Sequence, residues 1–92
     1  MEDLGIRAEE AIRRGEAYDK QEKPELAEQQ YRKALALYDR LLGETGEKTY
    51  ARAAEEACTT LADLCMQMGN LHGADVYYVK ALAYGDREGN SR

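Results

Sequence analysis

Apolar residues recur three and four positions apart along nearly the whole chain, the spacing of one face of an α-helix. No run alternates with the two-residue period of a strand, and Val and Ile together supply only Ile6, Ile12, Val76 and Val79. Four helices are predicted. The first runs from Leu4 to about Lys20, with Leu4, Ala8, Ala11, Ile12, Gly15 and Tyr18 inward. Its outer face carries the acid-first pairs Glu9–Arg13, Glu10–Arg14 and Glu16–Lys20, a spacing worth about 0.3–0.5 kcal/mol per pair. Residues 21–23 form a short connector, and Pro24 suits the first turn of a second helix because its missing N–H costs nothing there. That helix carries Ala27, Tyr31, Ala34, Leu35, Tyr38, Leu41 and Leu42 on one stripe and is expected to stop at Gly43, with a loop over 43–46. The third begins near Thr45 or Glu47 and turns Tyr50, Ala54, Ala57, Cys58, Leu61, Leu64, Cys65 and Met68 inward. Gly69-Asn70 ends it. The fourth spans Leu71 to about Tyr84, with Ala74, Tyr77, Tyr78, Ala81 and Leu82 inward, and residues 86–92 read as a flexible polar tail.

The stripes of the second and fourth helices are versions of one another. Tyr31-Arg32-Lys33-Ala34-Leu35-Ala36 returns 47 positions later as Tyr78-Val79-Lys80-Ala81-Leu82-Ala83, and Ala27 returns as Ala74. At the same offset Ala11, Gly15 and Tyr18 fall on Cys58, Ala62 and Cys65. Self-similarity at a fixed period marks a repeat architecture. Each half is therefore a pair of antiparallel helices whose small residues sit where the backbones cross.

These residues resemble the tetratricopeptide repeat, whose helix–turn–helix unit carries a small residue and then an aromatic on its first helix. Its second helix carries alanine, aromatic, alanine at intervals of four and three. Gly15, Tyr18, Ala27, Tyr31 and Ala34 fit that pattern in the first unit, and Leu61, Ala62, Cys65, Gly69, Ala74, Tyr78 and Ala81 fit it in the second. The likeness covers about residues 8–85. The basic unit has about 34 residues, and the extra residues here sit between Tyr38 and Tyr50, which is similar to the long repeats of kinesin light chains and bacterial arrays. The family's tryptophan and closing proline are missing, Arg14 stands where leucine is expected, and Glu22 stands where the turn glycine is expected. The first unit is the weaker match, as suits a terminal repeat that faces water. The resemblance implies an all-α, right-handed α-α superhelix of two tandem hairpins: a domain over 1–85, repeat one about 4–43 and repeat two about 47–85. Tyr31 and Tyr78 would fill the wedge within each hairpin, while Tyr18, Tyr38 and Tyr50 also read as core fillers.

Composition narrows the function. The 92 residues carry 13 Lys and Arg against 18 Asp and Glu, a net charge of −5. That argues against nucleic acid, which needs clustered cations. No run reaches the roughly 18 apolar residues of a membrane span, and Met-Glu-Asp-Leu-Gly does not resemble a secretion signal, so the expected location is the cytoplasm. Cys58 and Cys65, seven apart on one helix, have Cα atoms roughly 10 Å apart, beyond the roughly 7 Å limit for a disulfide. They are expected as reduced, buried thiols facing the first and fourth helices. His72 has no second ligand at metal-binding spacing, no glycine-rich phosphate loop occurs, and Ser91 has no base partner. No catalytic, metal or cofactor site is therefore expected, and the chain reads as a non-enzyme.

The resemblance implies a protein-interaction module, a small scaffold or adaptor whose groove is lined by the first helix of each unit. By register those positions are Glu9, Ile12, Glu16, Asp19 and Lys20, then Glu56, Thr59, Asp63, Met66 and Gln67. Five acids against one lysine favour a basic or amphipathic protein or peptide. Relatives that clamp the terminal carboxylate of heat-shock chaperones use Lys and Asn where this chain has Ile12 and Glu16, with Thr60 following, so an acidic tail is excluded. A second candidate surface is the open end of the fourth helix, with Val76, Tyr77, Val79 and Tyr84 expected to mediate weak homodimerisation or docking of a following domain. Two other readings stand beside these: a self-associating unit or fragment of a longer array, and a plain helical bundle with a small-ligand pocket.

Overall fold

Four α-helices follow one another: α1 (Leu4–Lys20), α2 (Pro24–Thr45), α3 (Lys48–Gln67) and α4 (Leu71–Arg87). The structure, a computed structural model, describes residues 3–87, among which there is no strand. Each helix packs on the next, so α1/α2 and α3/α4 are hairpins and α3 rests on α2. The result is a flat stack of 35 × 34 × 15 Å between Cα extremes.

The helix ends follow from local chemistry. The Asp3 carboxylate accepts the Gly5 N–H at 2.8 Å and caps α1, and Pro24 opens α2. The α1–α2 turn places Glu22 at φ 60. Its counterpart 47 positions on is Gly69, at φ 78, so both hairpins turn through the same left-handed backbone and only the second uses the residue that tolerates it. After Gly69 the Asn70 N–H reaches back to the Cys65 carbonyl at 2.8 Å, a Schellman closure. The Asn70 side chain then accepts the Gly73 N–H at 2.9 Å and starts α4.

Two expected boundaries move. Helix α2 runs through Gly43 to Thr45 and stops at Gly46, whose φ is 70 and whose N–H meets the Leu42 carbonyl at 2.8 Å. A helical glycine costs only about 1 kcal/mol, and here Leu42 is buried beside it while the Thr45 hydroxyl donates to the Leu41 carbonyl at 2.8 Å. Thr45 thus finishes α2, and Glu47 is the N-cap of α3. Helix α4 continues to Arg87, past residue 86 where a tail was expected to start, and residues 88–92 lie outside the described ones.

The inward stripes of α1, α2 and α3 are where the periodicity puts them. From α1 only Ala8, Ala11 and Gly15 are buried, and the largest fully buried side chains are Leu61, Leu64, Cys58 and Cys65 of α3. Small residues on α1 let α2 come close: a methyl at Gly15 would lie 2.8 Å from the Tyr31 ring. Ala27 and Ala74 are buried at the corresponding crossings, as the repeat requires.

The fourth helix departs from expectation. Tyr78 is 42% exposed and Leu82 73% exposed, whereas their counterparts Tyr31 and Leu35 are 5% and 8% exposed. No described helix lies over α4 as α3 lies over α2, and position 62 carries alanine where the first hairpin has Gly15. The Tyr78 hydroxyl turns instead to the Asp63 carboxylate, donating at 3.0 Å. Of the residues expected on the open end, Val76 and Val79 are exposed, but Tyr77 and Tyr84 turn inward. Tyr77 packs against both buried clusters, and the Tyr84 hydroxyl donates to Asp39 at 2.7 Å. The open face is made by Leu71, Tyr78, Val79 and Leu82.

Because Glu22 holds a conformation that costs an L-residue about 1–2 kcal/mol, Glu22→Gly is expected to stabilise the fold by about 0.5–1 kcal/mol, part of the relief being offset by the freer unfolded chain. Thermal melting reads this directly as a rise of a few degrees. A fall would show that Glu22 makes a contact worth more than the backbone it strains.

A tyrosine-floored groove between the first and third helices

Helices α1 and α3 both stand on α2 and barely touch each other. The gap between them is floored by Tyr31 and Tyr38 of α2 and opens into two adjoining hollows. The inner one, of about 170 Å³, is lined by Ile12 and Glu16 of α1, the two tyrosines, and Ala53, Glu56, Ala57 and Thr60 of α3. The outer one, of about 350 Å³, is lined by Asp3, Gly5, Ile6 and Glu9 on one side and Thr49, Tyr50 and Ala53 on the other, with Tyr38 and Ala53 shared between the two. Ala53 and Ala57, four apart, leave the room on the α3 side. Tyr38 and Tyr50 stack with ring centroids 6.4 Å apart and planes inclined by 30°.

The groove is electrically one-sided. Burial first, then the charges of Glu16 and Asp19, push the Tyr31 hydroxyl above its ordinary pKa of 10.0. Tyr38 is raised in the same way, by burial and then by Glu9, Glu56 and Tyr50. Each phenol thus reports carboxylates gathered above it. The pairs Glu9–Arg13 and Glu16–Lys20 expected on α1 do not close. An ion pair joins Arg40 and Glu44 at 3.2 Å, on the far end of α2. Glu9, Glu16 and Glu56 line the groove.

Of the ten positions taken from the repeat register, Glu9, Ile12, Glu16 and Glu56 line the hollows. Asp19 is close enough to act on Tyr31. Lys20, Thr59, Asp63, Met66 and Gln67 are exposed but outside both linings. Thr59 spends its hydroxyl on the Glu55 carbonyl, and Asp63 is engaged by Tyr78. The sequence reading missed the floor. Tyr31 and Tyr38 were expected as core alone, yet both also form the bottom of the groove. The available signal was their position on α2, below two first helices whose facing residues are small.

On the α2–α4 side a second crevice, of about 250 Å³, is lined by Arg32, Leu35, Ala36, Asp39, Tyr77, Lys80 and Tyr84. The charges acting on Cys58 are Lys80, Asp39 and Glu55, and those acting on Cys65 are Glu28 and Arg32. Both thiols are buried, as expected, but they face α2 and α4 rather than α1. Burial pushes Cys58 from 9.0 up to about 11 and raises Cys65 as well. Both are therefore held in the thiol form at neutral pH.

The family model of the tetratricopeptide repeat matches residues 10–40 and 55–84, one hairpin each. The chain belongs to the tetratricopeptide repeat family. The internal likeness is therefore not fortuitous, and the four helices are two repeats of the family's helical-hairpin superhelix. No curated protein and no solved structure matches the chain. Tetratricopeptide repeats are in general protein–protein interaction modules and typically non-enzymatic scaffolds, and no described helix here is long and apolar enough to cross a membrane.

The thiols give a test of the packing. With a folded pKa near 11 against 9.0, Cys58 at pH 8 holds about 100-fold less thiolate than an ordinary cysteine, and its labelling should require opening of the fold. A thiol pKa raised by folding contributes stability that is intact below pH 9 and lost as pH rises through 11. Slow labelling of both cysteines by a thiol reagent, accelerating in step with denaturant, is the expected result. Rapid native-state labelling would contradict the burial.

Proposed function

We propose that this tetratricopeptide domain is an adaptor that holds a basic segment of a partner protein in the groove between α1 and α3. The observation that carries the reading is the set of three groove carboxylates, Glu9, Glu16 and Glu56, gathered from both walls over a tyrosine floor. A lysine or arginine entering there gains carboxylates from both walls and an aromatic surface below. An acidic tail meets repulsion. The two unpaired thiols suit a reducing compartment, and the cytoplasm is the proposed location.

The test is peptide binding across a salt series. A lysine-rich peptide is expected to bind, a glutamate-rich peptide of equal length is not, and affinity should fall steadily as salt screens the exposed charges. Glu16→Gln with Glu56→Gln should weaken binding several-fold and flatten the salt dependence without moving the melting temperature. Binding of the acidic peptide, or indifference to both substitutions, would reject the reading.

A second surface is supported by the exposed row Leu71, Tyr78, Val79 and Leu82 on α4. On α2 the corresponding face is covered by α3, through a row of mostly small residues, Ala54, Ala57 and Leu61, packed with Leu35 and Tyr38. The other end of the stack is different: 47 positions before that row stand Arg7, Glu10 and Arg14. A second copy therefore cannot seat its α1 on α4 as α3 seats on α2, and head-to-tail growth is blocked. We assign the open face to a helix carrying α3-like small residues, from a further repeat or a partner. Self-association through α4 alone would be weak, because a patch of a few hundred Å² falls below the roughly 800 Å² per partner of a stable interface. Sedimentation at rising concentration should show a monomer, or at most a weak dimer that Leu82→Glu abolishes without loss of stability. Tyr77→Glu, by contrast, should destabilise the fold, since Tyr77 packs inside. Chains longer than a dimer would overturn the assignment.

A further inference from the structure

The face of α4 that no described helix covers is bordered by acids, and those borders bear on what covers it. This inference rests on the reading of that face given above. Its apolar row is Leu71, Tyr78 and Leu82, spaced by seven and four as one stripe of a helix requires. Asp75 follows Leu71 by four positions and Asp86 follows Leu82 by four, so each carboxylate stands one turn along from a leucine. The two acids are eleven apart, about three helical turns, and therefore share one edge of the row. Both are exposed. The other edge belongs to α3. There the Tyr78 hydroxyl reaches the Asp63 carboxylate at 3.0 Å, and the Glu55 carboxylate lies 3.2 Å from where a methyl at Gly85 would stand. Lys80 is turned toward α2, its ammonium 5.9 Å from the centre of the Tyr77 ring.

The first hairpin shows how such positions are used. At the 47-residue offset Asp75 and Asp86 correspond to Glu28 and Asp39. The hairpin stacked there brings a donor to the second of these, the Tyr84 hydroxyl at 2.7 Å from Asp39. Covering Asp86 without a donor would strip a carboxylate of water and leave it unpaired. A lysine or arginine supplies both the donor and the opposite charge.

Two other occupants meet obstacles. A second copy laid α4 to α4 would bring Asp75 and Asp86 of both chains into one interface, where like charges repel. A further repeat seated as α3 is seated on α2 would lack part of its platform. Helix α3 packs with Leu35 and Tyr38, and Tyr50 stacks on the Tyr38 ring. The counterpart of Tyr38 on α4 is Gly85.

We infer that the open face of α4 is the docking site for a basic amphipathic helix of a partner protein, with small apolar residues against Tyr78 and Leu82 and lysine or arginine along the edge that meets Asp75 and Asp86. The apolar row gives the helix its seat, and the carboxylates choose its sign.

Fluorescence anisotropy with the intact chain tests this, using labelled helix-forming peptides of equal length. One carries an alanine face edged by lysines, and a second carries the same face edged by glutamates. A third keeps the lysine edges and has glutamine in place of the alanine face. The first is expected to bind about tenfold more tightly than either of the others. Asp75→Lys with Asp86→Lys, both at exposed positions, should reverse the choice between the first two. Leu82→Ser should abolish the advantage of the alanine face. Glu16→Gln with Glu56→Gln should leave both preferences unchanged, which separates this face from the groove. Melting temperatures near the parent's show that the variants fold. Equal binding of the lysine-edged and glutamate-edged peptides, with Leu82→Ser still weakening both, would overturn this inference and leave the open-face reading intact. Loss of binding in the groove variant alone would overturn it too, by seating the peptide between α1 and α3. Binding of none of the peptides would reject both the inference and the open-face reading beneath it.

Discussion

The contact on which the rest of the molecule depends is the Tyr31 ring lying against Gly15. With a methyl at position 15 the nearest ring carbon would be 2.8 Å away, closer than carbon atoms pack. The missing side chain sets how near α2 comes to α1, and the ring fills what the glycine vacates. Because Tyr31 is held there, its outer surface and that of Tyr38 become the platform on which α3 lies and the floor between α1 and α3. Packing inside one hairpin thus fixes both the stacking of the next hairpin and the depth of the groove.

The second hairpin shows what happens when that contact is altered. Ala62 replaces the glycine, Tyr78 is displaced to a hydrogen bond with Asp63, and Leu82 stands in solvent. The same residues in the same register therefore have different fates according to whether a neighbouring helix covers them. The ends of the stack are unequal as a consequence. Arg7, Glu10 and Arg14 make the first end compatible with water, while Tyr78 and Leu82 leave the last end apolar.

That contrast also explains how much was legible in the residues. The repeat at a 47-residue offset carried the four helices, the hairpin pairing and the burial of Ala27, Ala74 and both cysteines, because periodicity reports which face is turned inward. It could not report what each face meets. Tyr78 and Leu82 share the letters of Tyr31 and Leu35, and only tertiary context separates them. Gly43 looked like the stronger stop, but the terminus is set by a positive φ at Gly46 and by the Thr45 hydroxyl. At the groove, Glu9, Ile12, Glu16 and Glu56 were readable from register. The tyrosine floor was not, since a residue that is almost fully buried and also lines a cleft gives the sequence only its buried signature.

Two repeats are fewer than the three or more that a helical stack usually requires, which gives binding an additional consequence. Helices α1 and α3 are joined through α2 rather than through each other, so an occupant touching Glu16 on one wall and Glu56 on the other acts as a bridge the chain itself lacks. Whatever binds only the assembled groove stabilises the stack by mass action, in proportion to the logarithm of its concentration over its dissociation constant. The same holds for a helix covering Tyr78 and Leu82. A ligand of the groove, or a helix laid over α4, would therefore couple its binding to folding.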